Sequence, residues 1–99
     1  MNGTAELIIL SYLERSSCYP FEICEVIHNE EIAIKSESIY SNFYKLQKKG
    51  YISSENTITK NKRVKYTLLP KGKEKVAELR QEYDKICSGV NLIINRNKA

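Results

Sequence analysis

The stretch Ser36-Glu37-Ser38-Ile39-Tyr40-Ser41-Asn42-Phe43-Tyr44-Lys45-Leu46-Gln47-Lys48-Lys49-Gly50, with residues 51–68 behind it, decides how this chain folds. Ile39, Phe43 and Leu46 recur at i, i+4 and i+7, which places them on one stripe of a helix. The other side carries Ser38, Ser41, Asn42, Lys45, Lys48 and Lys49. Ser36 opens this helix. Gly50, able to adopt the left-handed conformation that follows a helix end, closes it. Beyond Gly50 the period changes from the helical value to two. Ile52 and Ile58 fit one face of a strand, and Val64, Tyr66 and Leu68 alternate with Arg63, Lys65 and Thr67 in the next. Between them lies Thr59-Lys60-Asn61-Lys62, where Asn61 tolerates the positive φ of a hairpin turn. A helix thus runs directly into a hairpin with a strongly basic tip.

Upstream, two more helices are expected. Thr4 suits the cap of the first and Glu6 its first turn. Leu7, Ile8, Ile9, Leu10, Tyr12 and Leu13 make that helix apolar on most sides, as a helix in a core or an interface is. Arg15-Ser16-Ser17 ends it. Pro20 fits the first position of the second helix, where its missing N–H has no intrahelical partner. Ile23, Val26 and Ile27 form the apolar face of this helix, and Glu22, Glu25, Glu30 and Glu31 its acidic face. Ile32-Ala33-Ile34 reads as a short apolar link or a small strand.

Downstream, Pro70 breaks the second strand and starts a long fourth helix. Val76, Leu79, Tyr83, Ile86, Val90 and Ile93 follow one another in steps of three and four, a heptad seam that Ser88-Gly89 interrupts with two weak helix formers. The expected organisation is a winged helix-turn-helix unit over residues 1–69, a helix over 70–95 and a frayed tail over 96–99, all in one compact unit. The fold class is mainly α with a small β-hairpin.

Charge is distributed unevenly along this order. Residues 1–34 hold six acids against one basic residue, whereas residues 35–75 hold eleven Lys and Arg against three acids. The electropositive part therefore coincides with the third helix and the hairpin. A polyanion is the natural partner of such a surface, because each neutralised phosphate releases condensed counterions. A helix of this polarity fits the major groove, where Asn pairs with adenine and Ser serves either a base or a phosphate. Candidate DNA-binding residues are Ser36, Ser38, Tyr40, Ser41, Asn42, Lys45, Lys60, Lys62, Arg63 and Lys65. The candidate dimerisation residues are those of the seam: Val76, Leu79, Tyr83, Ile86, Val90 and Ile93. Docking of the seam on the first helix, as core within one chain, is the other reading of the same pattern.

Other chemistry has little to stand on. Cys18, Cys24 and Cys87 are odd in number and lack metal-ligand spacing, so reduced thiols in a cytoplasmic setting are expected, with no metal and no cofactor. His28 is the single histidine and sits beside Asn29 and Glu30, as a surface residue does. Phosphate-binding glycine loops and nucleophile elbows are absent, and an enzyme is not expected. The opening MNGTAELIIL has no basic region and is cut by Ser11 and Glu14, so neither a signal peptide nor a membrane span is expected.

Three motifs carry a resemblance. Ser38-Ile39-Tyr40-Ser41 with Leu46-Gln47-Lys48-Lys49-Gly50-Tyr51-Ile52 resembles the recognition helix of PadR-type transcriptional regulators, which run Ser-Leu-Tyr-Pro and then Leu-x-x-x-Gly-Leu-Ile. Arg63-Val64-Lys65-Tyr66-Thr67-Leu68 followed by Gly72 resembles that family's wing strand and last helix. Tyr19-Pro20-Phe21-Glu22-Ile23 is similar to its second-helix motif, without the His-Gly pair. Ser41 stands where the family has Pro, and Leu69 where it has Thr. The resemblance covers roughly residues 5–90 and implies DNA contact by Tyr40 and Lys45, and dimerisation through the first and last helices. The reading is sequence-specific binding of double-stranded, palindromic operator DNA by a homodimeric regulator, acting as a repressor, with no effector identified. A plasmid replication or segregation factor and a protein–protein adaptor without DNA binding are the alternatives.

Overall fold

The computed structural model describes residues 3–56 and 64–98. The elements follow the order α1 (Thr4–Arg15), α2 (Pro20–Asn29), α3 (Ser36–Lys48), β1 (Ile52–Asn56), β2 (Val64–Leu68) and α4 (Pro70–Asn97). β1 and β2 pair antiparallel, with Ile52 opposite Leu68 and Ser54 opposite Tyr66. Ile58, Lys60, Lys62 and Arg63 lie outside the described residues. The architecture is a winged helix with a long C-terminal helix, as the change of period at Gly50 implies.

One core unites these elements. Ile9, Leu10 and Leu13 of α1 meet Ile23 and Ile27 of α2 and Ile39, Phe43 and Leu46 of α3, and all are buried. Ile52, Val76 and Leu79 close the remaining side. Burying each such side chain stabilises the fold by about 1.5–3 kcal/mol. The expected stripe Ile39-Phe43-Leu46 is therefore the inner face of α3. In α2, by contrast, Val26 is 37% exposed. Pro20, Ile23 and Ile27 set the inward direction of that helix, and Val26 falls to its flank.

A contact between α1, α2 and the wing was not foreseen. Cys18, in the link before α2, forms a bridge to Tyr66 of β2. The Cys18 N–H donates to the Tyr66 carbonyl at 3.1 Å, and the Tyr66 N–H donates back at 2.8 Å. β2 is thus paired on both edges. Beside the bridge the Ser17 and Thr67 hydroxyls are 2.7 Å apart. Burial, with a smaller contribution from Glu22 and against the pull of Lys65, pushes the Cys18 thiol up to about 12.

Helix ends show how the chain is steered. Gly3, at φ 89°, is the N-cap of α1, so Thr4 is its first helical residue and not its cap. At α2 the Glu22 carboxylate accepts the Tyr19 N–H at 2.6 Å, satisfying one of the donors a helix start leaves open. α2 and α3 end alike. The Ile32 N–H donates to Ile27 O and the Glu31 N–H to His28 O. The Tyr51 N–H donates to Leu46 O and the Gly50 N–H to Gln47 O. Both are Schellman ends, whose C′ residue is left-handed. Gly50 takes φ 80° without cost, but Glu31 must take φ 56°. Residues 32–34 form no strand; instead the Ile34 N–H turns back onto Ile32 O at 2.9 Å.

α4 has 28 residues and stays helical across Ser88-Gly89, reaching Asn97 rather than ending at 95. At 1.5 Å per residue it is about 42 Å long, which accounts for the 59 × 28 × 20 Å extents of the described residues. Gly72 lies in its first turn. A Cβ there would come within 2.2 Å of the Tyr51 carbonyl oxygen and 2.6 Å of Leu68 Cδ1. Only glycine lets α4 leave the wing at this angle.

Two outcomes follow from this packing. Glu31→Gly relieves the left-handed strain and raises the unfolding free energy by roughly 1 kcal/mol, whereas Gly72→Ala lowers it by roughly 1–3 kcal/mol; urea denaturation midpoints measure both. In a thiol titration at pH 8, half-buried Cys24 of the native protein reacts ahead of Cys18. Cys18 reacts only when denaturant opens the core, because it is 1% exposed and its thiol is held protonated.

Candidate nucleic-acid interface

The face of α3 opposite Ile39, Phe43 and Leu46 belongs to Glu37, Tyr40, Ser41, Tyr44, Lys45 and Lys48, all exposed. Their spacing is i, i+3, i+4, i+7, i+8 and i+11, so one unbroken strip runs the length of the helix. Of the residues expected to meet DNA, the structure brings Tyr40, Ser41 and Lys45 together on this strip. Ser36 and Ser38 are exposed at the start of α3, to either side of the strip.

Asn42 stands apart from them. It is half-buried, and its amide donates to the Ser38 carbonyl oxygen at 2.8 Å. It lines a cleft with Thr4, Ala5, Glu6 and Ile34, at the junction of α3 with the start of α1. The reason is helical phase: Asn42 precedes the buried Phe43 and follows Ile39 by three, which draws it toward the core side. A count of polar residues placed it on the outer face; a count of angles does not. The same count brings out Tyr44 and Glu37, which composition alone did not single out. Tyr44 is 58% exposed and Tyr40 52%. The Lys48 ammonium lies 4.8 Å from the centroid of the Tyr44 ring.

The hairpin is fastened beside this helix. Gln47 Nε2 donates to Ser54 Oγ at 2.8 Å, joining α3 to β1. The Phe43 ring packs on the Tyr66 ring of β2, 4.7 Å between centroids. Lys65, on β2, is half-buried, with its ammonium 6.0 Å from the Tyr19 ring centroid. Tyr19 in turn stacks on Phe21 at 5.9 Å. Of the wing cations expected from sequence, Lys65 alone falls within the described residues.

The seam of α4 divides in two. Val76 is fully buried and Leu79 is 9% exposed, both within the core of the chain itself. They are core residues because α4 packs on α1 there and completes the core cluster. Tyr83, Ile86, Val90 and Ile93 are 41–57% exposed. Leu92 and Ile94, off the seam, are exposed as well. Arg80, where the division falls, ties α4 to α1 by pairing with Glu14 and donating to Ser11 Oγ. A hydrogen bond to Cys87 pushes the Tyr83 hydroxyl upward in pKa. Among the described residues no cluster of His, Cys, Asp and Glu could hold a metal, and no helix is long and apolar enough to cross a membrane.

Known proteins place this geometry. Curated relatives include the HTH-type transcriptional regulator SarU of Staphylococcus aureus, 29% identical over 86 residues, which are 87% of this chain and 34% of the relative. The chain thus spans about a third of the length of the curated relatives it matches. A PadR family transcription regulator from Clostridium difficile has the same fold, with a TM-score of 0.80 and 24% identity over 93% of this chain and 99% of that one. So does PadR of Bacillus subtilis, solved in complex with operator DNA, with a TM-score of 0.71 and 23% identity over 80% of this chain and 46% of that one. The transcriptional regulator PadR-like family matches residues 9–78, from the core of α1 to the first turns of α4, and the chain belongs to that family.

Proposed function

We propose that this chain is a transcriptional regulator that binds a palindromic operator in double-stranded DNA as a homodimer, in the cytoplasm, and represses by occupying it. The observation that carries the reading is the outer strip of α3. It holds Lys45, Lys48 and hydrogen-bonding Ser41 on a rigid helix whose opposite face is locked in the core. The fold is also that of the Bacillus subtilis protein solved on operator DNA. α3 enters the major groove, with Tyr40, Ser41 and Lys45 toward the bases and backbone. Ser36 and Ser38 stand at its start, within reach of phosphate. Lys60, Lys62, Arg63 and Lys65 of the hairpin neutralise the flanking backbone. Asn42 flanks this site; its bond to the Ser38 carbonyl leaves a second N–H and the Oδ1 for DNA.

Homodimer formation rests on the exposed part of α4. Tyr83, Ile86, Val90 and Ile93 leave a continuous apolar strip in water, which is the kind of surface that a second copy covers. Leu7 of α1 borders it beside Tyr83 and Ile86, and Ile8 and Tyr12 are half-buried against the core nearby. A two-fold dimer presents two α3 helices about one DNA turn apart, and so addresses a palindrome.

Sedimentation separates the two halves of α4. Wild type sediments at about twice its 11.5 kDa chain mass. Ile86→Asp sediments as a monomer that keeps the circular dichroism of the core helices and loses at most that of the exposed end of α4. Leu79→Ala, in the core, lowers stability by roughly 2–5 kcal/mol. A monomeric wild type ends the dimer reading.

DNA binding is measured by fluorescence anisotropy on duplexes selected from a random pool. Affinity falls steeply with salt. Lys45→Ala weakens all sequences by a similar factor and flattens the slope of log K against log salt by about 1 per protomer. If no sequence is enriched and no salt dependence appears, the operator reading fails.

A further inference from the structure

Tyr44 is the more exposed of two aromatic rings on a helix face otherwise made of Ser, Glu and Lys. It lies one turn from Tyr40 on one side and one turn from Lys48 on the other. The Lys48 ammonium, 4.8 Å from the ring centroid, occupies the electron-rich face and restrains the ring. A phosphate gains nothing at the faces of the ring, which carry negative charge density; only the hydroxyl at its rim could donate to one. The floor of the major groove offers one apolar group, the 5-methyl of thymine, and its C–H bonds suit an aromatic surface. Resting on the operator reading above, we infer that Tyr44 is a specificity-determining residue whose ring packs on the 5-methyl group of one thymine in each half-site. Lys48 meanwhile holds the ring in place. Tyr44 then reads sequence through an apolar contact that Ser41 and Lys45 cannot make. The phenol oxygen has no part in this recognition; the ring alone does.

The test uses the selected duplex and a set of copies in which each thymine in turn is replaced by deoxyuridine, which removes the methyl and nothing else. Affinities are measured at fixed salt for wild type, Tyr44→Phe, Tyr44→Ala and Tyr40→Ala. Wild type and Tyr44→Phe lose about fourfold at one position of the half-site, the worth of one buried methyl group. Tyr44→Ala binds the parent duplex more weakly and is indifferent to the methyl at that position, while its responses elsewhere match wild type. The inference is overturned if wild type is indifferent to every methyl. It is overturned equally if Tyr44→Ala keeps the loss, if Tyr40→Ala is the variant that abolishes it, or if Tyr44→Phe abolishes it, which would assign the contact to the hydroxyl. A wild type that selects no sequence removes the operator reading itself, and this inference with it.

Discussion

Tyr66 is held from two sides, and the placement of the wing against α3 depends on it. Its backbone exchanges two hydrogen bonds with Cys18, ahead of α2, and its ring packs on Phe43 inside α3. A two-stranded hairpin by itself is marginally stable in water. Here the inner strand is paired on both edges, and its side chains Tyr66 and Leu68 pack against the helical core. The root of the wing therefore moves with α3. Gln47 bonded to Ser54 adds a second tie on the far strand. Burial also raises the pKa of the Tyr66 hydroxyl, as expected where a ring sits mostly among apolar neighbours.

The same economy governs the C-terminal helix. Gly72 lets its first turn touch the Tyr51 carbonyl, and Leu69 donates to that oxygen at 3.0 Å. Lys71 adds a bond to Lys49 O, at the end of α3. Val76 and Leu79 then plug the core, and Arg80 pins the helix across α1 to Glu14. Surface ion pairs contribute little in isolation. This one gains from position, because it sits where the buried part of the helix gives way to the exposed part.

Much of this was legible in the sequence, and the reasons are particular. The stripe Ile39-Phe43-Leu46 followed by Gly50 and a change of period gave away α3, its C-terminal stop and the hairpin, because helix and strand periods cannot be confused over that length. Pro20 and Pro70 marked helix starts for the same reason that proline is tolerated there. The Cys18 bridge was not legible: a single paired residue leaves no period to read. Glu31 was missed because a left-handed end without glycine is selected by its surroundings, not by the residue. In the seam, steps of three and four are the same whether the partner is the chain's own core or another molecule, so the division after Leu79 needed coordinates. Asn42 falls at the half-buried edge of the outer face, because its phase lies next to Phe43. The basic hairpin tip, with Lys60, Lys62 and Arg63, stays a sequence-level reading.

The exposed half of α4 has a consequence for how order in this protein responds to concentration. From Tyr83 onward each large apolar side chain keeps at least two-fifths of its surface in water. A helical stretch of that length without tertiary packing is only marginally formed, because the gain per added residue is small. Whatever covers Ile86, Val90 and Ile93 thus also decides whether the backbone beneath them stays wound. In the proposed homodimer, amide protons there exchange by opening events that mass action suppresses, whereas those of Ile9, Phe43 and Val76 answer only to unfolding of the core. For such a dimer, dilution would loosen one end of the molecule and leave the other untouched, giving two thermodynamic regimes along a single helix.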